Sequence, residues 1–229
     1  MPSILITGAN RGLGLEFAKQ YAEAGYRVFA AVREPGKASA LQALAKRHDA
    51  LRIHELAVTD PSSVRALAGA LADEPIDILL NNAGWYGPKR QSAGQVDFDG
   101  FLETLRINTI APLQLVEAFL PHVANGERKL LVAITSGMGS IADSSGGFYA
   151  YRASKAALNM TFHNLALDLK AQGIISVVCN PGWVKTDMGG AGAQLEPHES
   201  IGKMRRIFDA LTLDDSGKFL NYRGGTLPW

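Results

Sequence analysis

The sequence predicts an α/β protein, a doubly wound parallel sheet of about seven strands with helices on both faces. Three observations predict it. Short β-rich runs alternate with longer stretches of helical period, the pattern of a sheet wrapped by crossover helices. Most of the short runs are near-continuously apolar, as strands covered on both faces must be. Glycines gather where those runs end, at Gly8, Gly84, Gly137 and Gly182.

In chain order, strands are expected at 3–7, 27–32, 51–56, 76–81, 129–135, 174–180 and, briefly, 219–222. Leu13, Phe17 and Tyr21 mark the apolar face of a first helix, and Leu41, Leu44 and Ala45 that of a second. Longer helical stretches cover 98–123 and 149–172. Crossovers between parallel strands are right-handed. The chain has no repeat, no low-complexity tract and no linker rich in Pro, Gly or Ser, so one domain spanning 1–229 is expected. Its crevice should lie at the carboxyl ends of the strands, where strand order reverses.

Composition narrows the function classes. The 229 residues are 47% hydrophobic and 20% charged, with a formal net charge of +1. That suffices for one sizeable core and gives no electrostatic reason to expect nucleic acid or an anionic membrane. The one cysteine, Cys179, excludes an internal disulfide and reads as a small buried hydrophobe. No basic, apolar leader opens the chain, and no segment approaches the roughly 20 apolar residues of a membrane span. A cytoplasmic location is therefore expected. His48, His54, His122, His163 and His198 show no ligand spacing, so no metal is expected.

The first strand ends in Thr7-Gly8-Ala9-Asn10-Arg11-Gly12-Leu13-Gly14, and a helix follows. A diphosphate needs backbone N–H groups unobstructed by Cβ atoms and the positive end of a helix aimed at it. Gly8, Gly12 and Gly14 supply both, in a G-x-x-x-G-x-G spacing that is not the G-x-G-x-x-G of the standard dinucleotide fingerprint. A bare strand-to-helix turn would use glycines too, but position at the first strand of an alternating chain favours nucleotide. The second strand ends Ala31-Val32-Arg33-Glu34. Val32 stands where an acid would bind the ribose 2′-OH of NAD, and Arg33 follows. Arg33 and Arg11, closing from two sides, would clamp a 2′-phosphate, with Glu34 left to solvent. NADP(H) is the expected cofactor.

Tyr151 and Lys155, four apart at the start of a helical stretch, share one face. Ser136 lies just past the fifth strand, and Asn108 within the preceding long helix.

These motifs resemble the short-chain dehydrogenase/reductase family, in its compact single-domain form. The matches are the 7–14 turn, Asn81-Asn82-Ala83-Gly84, Asn108, Ser136, Tyr151-Arg152-Ala153-Ser154-Lys155 and Pro181-Gly182-Trp183-Val184-Lys185-Thr186, in the family's order. Gly217-Lys218-Phe219 and Leu227-Pro228-Trp229 further resemble C-factor-like and sniffer-like carbonyl reductases. The resemblance implies that Tyr151 is the general acid in reduction and the base in oxidation. Its pKa, near 10 when free, would be lowered by the Lys155 ammonium and the oxidised nicotinamide together. Lys155 would also hydrogen-bond the nicotinamide ribose. Ser136 would hold the substrate oxygen, and Asn108 would anchor a water that relays protons to Lys155. The turn residues Gly8, Asn10, Arg11, Gly12, Leu13 and Gly14 would meet the cofactor's phosphates. Asn82, Ala83 and Gly84 would line the adenosine side, and Pro181, Gly182, Val184 and Thr186 the nicotinamide end. Where the family carries an adenine-binding Asp, this chain has Val58, which would contribute only backbone. Ser140 and Tyr149 stand as alternatives to Ser136 and Tyr151.

Irregular, glycine-bearing loops around 85–97 and 188–200 should shape the substrate site. Trp85, Tyr86, Trp183 and Met188 either wall an apolar substrate or pack internally, and glycines at 189–192 would let the second loop close as a lid. The expected function is an NADP(H)-dependent carbonyl reductase or alcohol dehydrogenase acting on a small molecule. By resemblance it would assemble as a homodimer or homotetramer. The alternative is an NADP(H)-binding regulatory or signalling protein with little turnover. A sugar-nucleotide epimerase would be expected to carry a larger C-terminal substrate region.

Overall fold

A computed structural model describes all residues, 1–229. The strands are β1 (Ser3–Thr7), β2 (Arg27–Val32), β3 (Leu51–Glu55), β4 (Ile78–Asn81), β5 (Leu130–Ile134), β6 (Ile175–Asn180) and β7 (Phe219–Asn221). The α-helices are α1 (Gly12–Glu23), α2 (Ser39–Ala45), α3 (Pro61–Ala70), α4 (Phe98–Leu105), α5 (Ala111–Ala124), α6 (Tyr149–Leu169) and α7 (Pro197–Ala210). All seven strands form one sheet in the order β3-β2-β1-β4-β5-β6-β7, and every neighbouring pair is parallel. The doubly wound sheet read from the sequence is the one observed.

Period-two alternation along each strand divides the apolar residues between two cores. Ile4, Ile6, Val28, Leu80 and Val177 meet Phe17, Leu41, Met204 and Phe208 from α1, α2 and α7. Leu5, Phe29, Leu79, Leu131 and Val178 meet Val64, Leu67, Phe119 and Phe162 from α3, α5 and α6. Cys179 lies fully buried in the first core, where burial pushes its thiol pKa up and leaves it unreactive.

Three features depart from the sequence reading. The fourth strand begins two residues late. Ile76 donates to His122 O, and Asp77 accepts from the N–H groups of Ser3, Glu127 and Arg128 at 2.7 to 3.1 Å, so both are held outside the ladder. The 98–123 stretch is not one α-helix but α4 and α5 joined by a π-turn at Arg106–Ile110. Pro112 explains the break, because it has no N–H for the Asn108 carbonyl four residues back. Two helices went unread, α3 and α7. Asp60 caps α3 by accepting from Ser62 N at 2.9 Å, and Pro61 opens it. In α7, Ile201, Met204 and Phe208 turn inward at helical spacing. The second substrate stretch, expected to run to about 200, is therefore irregular only as far as Glu196.

Candidate active site

Strand order reverses between β1 and β4, and a cavity of about 640 Å³ opens there at the carboxyl ends. The first turn is shaped to leave backbone exposed. Gly12 has φ +54°, open to glycine at little cost. At Gly14 a Cβ would lie 2.2 Å from the Gly8 carbonyl and 2.6 Å from Asn82 Nδ2. The Arg11 side chain does not cap α1, and no backbone carbonyl accepts from the N–H groups of Asn10 to Gly14. Gly8, Asn10, Arg11, Gly12, Leu13 and Gly14 all line the cavity. Unpaired N–H groups at a helix N-terminus, in a cradle that a Cβ would fill, fit a dinucleotide diphosphate. Gly14→Ala is expected to lower stability by about 2 kcal/mol or more, from overpacking against backbone. Thermal denaturation checks it, and an unchanged Tm would contradict the contact.

Thr7 and Asn82 hold this turn to β4. Thr7 Oγ1 accepts from the N–H groups of Asn82 (3.1 Å) and Ala83 (3.0 Å), and Asn82 Nδ2 donates to Thr7 O at 2.9 Å. Asn82, Ala83, Gly84 and Val58 line the cavity, as do Arg33 and Lys37. The two arginines line the cavity but are not equally free. Arg11 Nη1 donates to Asp187 Oδ2 at 2.8 Å across the mouth of the cavity, whereas Arg33 makes no ion pair. The Arg11–Asp187 pair is exposed on both sides and so is weak, leaving the guanidinium free to exchange partners. Glu34 is occupied by Lys37 at 2.7 Å, which holds its carboxyl pKa below the ordinary value. Lys37 is a cation at this site that the sequence reading missed; its place four residues after Arg33 was the available signal.

Tyr151 and Lys155 stand on the first turns of α6, both buried and both lining the cavity. Burial pushes the Tyr151 phenol pKa up to about 12, while a hydrogen bond with Ser136 acts the other way. Burial lowers the Lys155 pKa to about 8. The expected lowering of the phenol by the ammonium is not observed, for a geometric reason. Lys155 Nζ lies over the tyrosine ring, 5.8 Å from its centroid, and donates to Ile134 O at 2.8 Å instead of facing the hydroxyl. Ser136, rather than Ser140, is the serine whose hydroxyl acts on the phenol, while its Oγ also accepts from Met138 N at 3.1 Å. Ser140 is buried, with its Oγ accepting from Asp143 N at 3.1 Å. Tyr149 is half exposed and turned from the cavity.

The Asn108 side chain is fully engaged. Its Oδ1 accepts from Trp85 N at 2.8 Å, and its Nδ2 donates to Trp85 O at 2.8 Å and Ser154 Oγ at 2.9 Å. It fixes the loop after β4, and only its main-chain carbonyl, freed by Pro112, is left for a water. At the far end Pro181 and Thr186 line the cavity, but Gly182 and Val184 do not. Gly182 (φ +81°) passes so near Tyr222 that a Cβ would lie 2.5 Å from its ring, and Val184 is buried in a bridge to Leu195. Asn180, unflagged by any motif, joins the two turns: its Oδ1 accepts from Gly137 N (3.1 Å) and Gly182 N (3.2 Å). The glycine segment expected to close as a lid is tied down, with Trp183 Nε1 donating to Gly189 O at 2.8 Å and Lys185 N to Leu195 O at 2.9 Å. Met188 lines the cavity and Trp85 its rim.

Comparison with known proteins agrees with this geometry. Residues 2–196 match the family model of the short chain dehydrogenase. The C-signal of Myxococcus xanthus is 41% identical over 167 residues, which are 72% of this chain and all of that protein. The carbonyl reductase Sniffer of D. melanogaster superposes with a TM-score of 0.94 at 36% identity, covering 100% of both chains. An NADPH-bound carbonyl reductase from chicken fatty liver gives a TM-score of 0.94 at 36% identity, covering 100% of this chain and 99% of that one. The sheet order, the glycine turn and these matches together place the chain in the short-chain dehydrogenase family.

Proposed function

We propose that this protein is an NADP(H)-dependent carbonyl reductase acting on a small molecule, with Tyr151 as its proton donor. The observation that carries the reading is the single cavity that joins acceptor-free N–H groups and unpaired Arg33 at one end to buried Tyr151 and Lys155 at the other. The NADPH-bound chicken reductase supports the choice of cofactor. NADPH, if bound in this cavity, would supply the hydride. The chain's own residues supply the rest. A phenol with a pKa near 12 is protonated at neutral pH, so Tyr151 can deliver its proton to a carbonyl oxygen. Ser136, whose hydroxyl acts on that phenol, would donate to the same oxygen as charge develops there. A water held by the Asn108 carbonyl would pass a proton to Lys155, and Lys155, on turning from Ile134 O, would return it to the phenol.

The pH dependence follows from the two shifts. Below about pH 8 Lys155 carries a proton to pass on and Tyr151 is neutral, so carbonyl reduction should be flat. Above that value Lys155 loses its proton and reduction should fall. A kcat/KM profile checks it; a rise through the same range would contradict the assignment.

The function itself is tested by NADPH consumption with a panel of aldehydes, ketones and diones. Turnover that yields the matching alcohol is the expected result. Tight NADPH binding with no turnover on any member would favour the regulatory reading instead. Assembly as a homodimer or homotetramer belongs to the proposal, supported by Phe98, Leu102, Ile110, Met160 and Leu167 exposed along the α4–α6 region.

A further inference from the structure

The loop after β4 holds a buried glutamine that the scheme above does not use. Gln91 is 4% exposed in a stretch that is otherwise half-buried or exposed. Its Nε2 donates to the carbonyls of Tyr86 (2.9 Å) and Pro88 (2.7 Å). Its Oε1 accepts from Tyr151 N at 2.9 Å, and its backbone carbonyl accepts from Tyr149 N at 3.0 Å. The side chain therefore joins the loop directly to the first turn of the helix that carries the proton donor. The loop is bent around it. Gly87, between the two acceptor carbonyls, has φ +90°, and a Cβ there would lie 3.1 Å from Gln91 Nε2 and 3.0 Å from Thr104 Oγ1.

This arrangement fixes Tyr86. Its ring centroid lies 4.6 Å from that of Tyr151 at an interplanar angle of 38°, and 5.6 Å from that of Phe148. The ring covers one face of the phenol that must meet the substrate. If Gln91 lost its amide, two carbonyls would lose their donor and Tyr86 would lose its tether.

We infer that Gln91 is a positioning residue that holds Tyr86 against Tyr151, and that this contact sets the width of the slot through which a carbonyl reaches the phenol, favouring slender aliphatic carbonyls over bulky aryl ones. The inference rests on the reductase reading and goes beyond it in naming what the site selects.

The test uses Gln91→Met, which keeps length and removes the hydrogen bonds, Tyr86→Ala, and the double variant. Two quantities are measured for a straight-chain aldehyde and an aryl ketone: kcat/KM with NADPH, and Kd on the NADP⁺-saturated protein. The wild type should favour the slender compound. Each single variant should lower that preference about tenfold, in the range by which pockets discriminate on size, and the double variant no further, because the two residues act as one unit. NADPH affinity should stay within about twofold, since the pair lies away from the phosphate turn. A preference unmoved in both variants, or effects that multiply in the double, would overturn the inference. Should Gln91→Met fail to fold, Gln91→Glu keeps the acceptor for Tyr151 N and sets a carboxylate against two carbonyls. The same loss of preference is expected, and an unchanged preference overturns the inference. The binding arm separates the two readings. A wild type that binds the slender compound preferentially without reducing it upholds the slot and refutes the reductase. Equal reduction of both compounds upholds the reductase and overturns the slot, and binding of neither overturns both.

Discussion

Tyr151→Phe is expected to lower kcat about 10³-fold, within the range general acid catalysis contributes, while leaving NADPH affinity unchanged. The substitution removes one oxygen from a buried ring and nothing else. The contact with Tyr86 and the position of Lys155 Nζ over the ring are made by carbon atoms that phenylalanine retains. What disappears is the hydroxyl and the proton it carries. The folded state should lose about 1 kcal/mol or less, because burying the phenol hydroxyl is itself costly. Steady-state kinetics and fluorescence titration with NADPH separate chemistry from binding. A variant that keeps more than about a tenth of wild-type kcat would mean that another group provides the proton, since loss of a positioned acid costs at least about 10²-fold.

Arg33→Asp should weaken NADPH binding by about 100-fold and leave NADH binding unchanged or improved, the loss expected when a charge-assisted contact is replaced by a repulsive one. Arg33 lines the cavity beyond the end of β2 and has no carboxylate partner to give up, so its guanidinium is free for a phosphate. Arg11 differs, being paired with Asp187, and Arg11→Ala should cost less because part of its contact replaces an existing one. Lys37, tied to Glu34, should contribute least of the three. Calorimetric Kd values for both dinucleotides decide it. Equal losses for NADPH and NADH would refute a role for Arg33 at the 2′-phosphate.

The fold was legible because its signals are local and repeat. Apolar runs at β1, β2, β5 and β6 name strands covered on both faces, and the spacing of Leu13, Phe17 and Tyr21 names a helix that meets them. The glycines at strand ends locate the crevice, whereas the order of the strands was not readable, because pairing between distant segments leaves no local signal. Two helices were overlooked although Asp60-Pro61 and the Ile201–Met204–Phe208 spacing announced them. The π-turn needed the consequence of Pro112 to be carried back to Asn108.

At the site, the turn glycines and the Tyr151–Lys155 pair were readable because backbone access and a shared helix face follow from sequence spacing. Side-chain partners over long separations were not. Nothing in the neighbourhood of Arg11 points to Asp187, 176 residues away. A motif also fails to say which way a residue faces, so Gly182 and Val184 were expected at the cavity and instead pack against Tyr222 and Leu195. Gln91 was invisible for the converse reason: a glutamine in a polar loop looks solvated until the fold buries it. Where the Lys155 ammonium points was not readable either, because spacing places it on the helix face without fixing its partner.

The most direct test follows a label. With NADPH deuterated at the transferable C4 position and a carbonyl that the wild type reduces, mass spectrometry of the alcohol should find the deuterium on the former carbonyl carbon, and Tyr151→Phe should suppress its appearance. Alcohol formed without the label, or label transfer undiminished in Tyr151→Phe, would contradict the account.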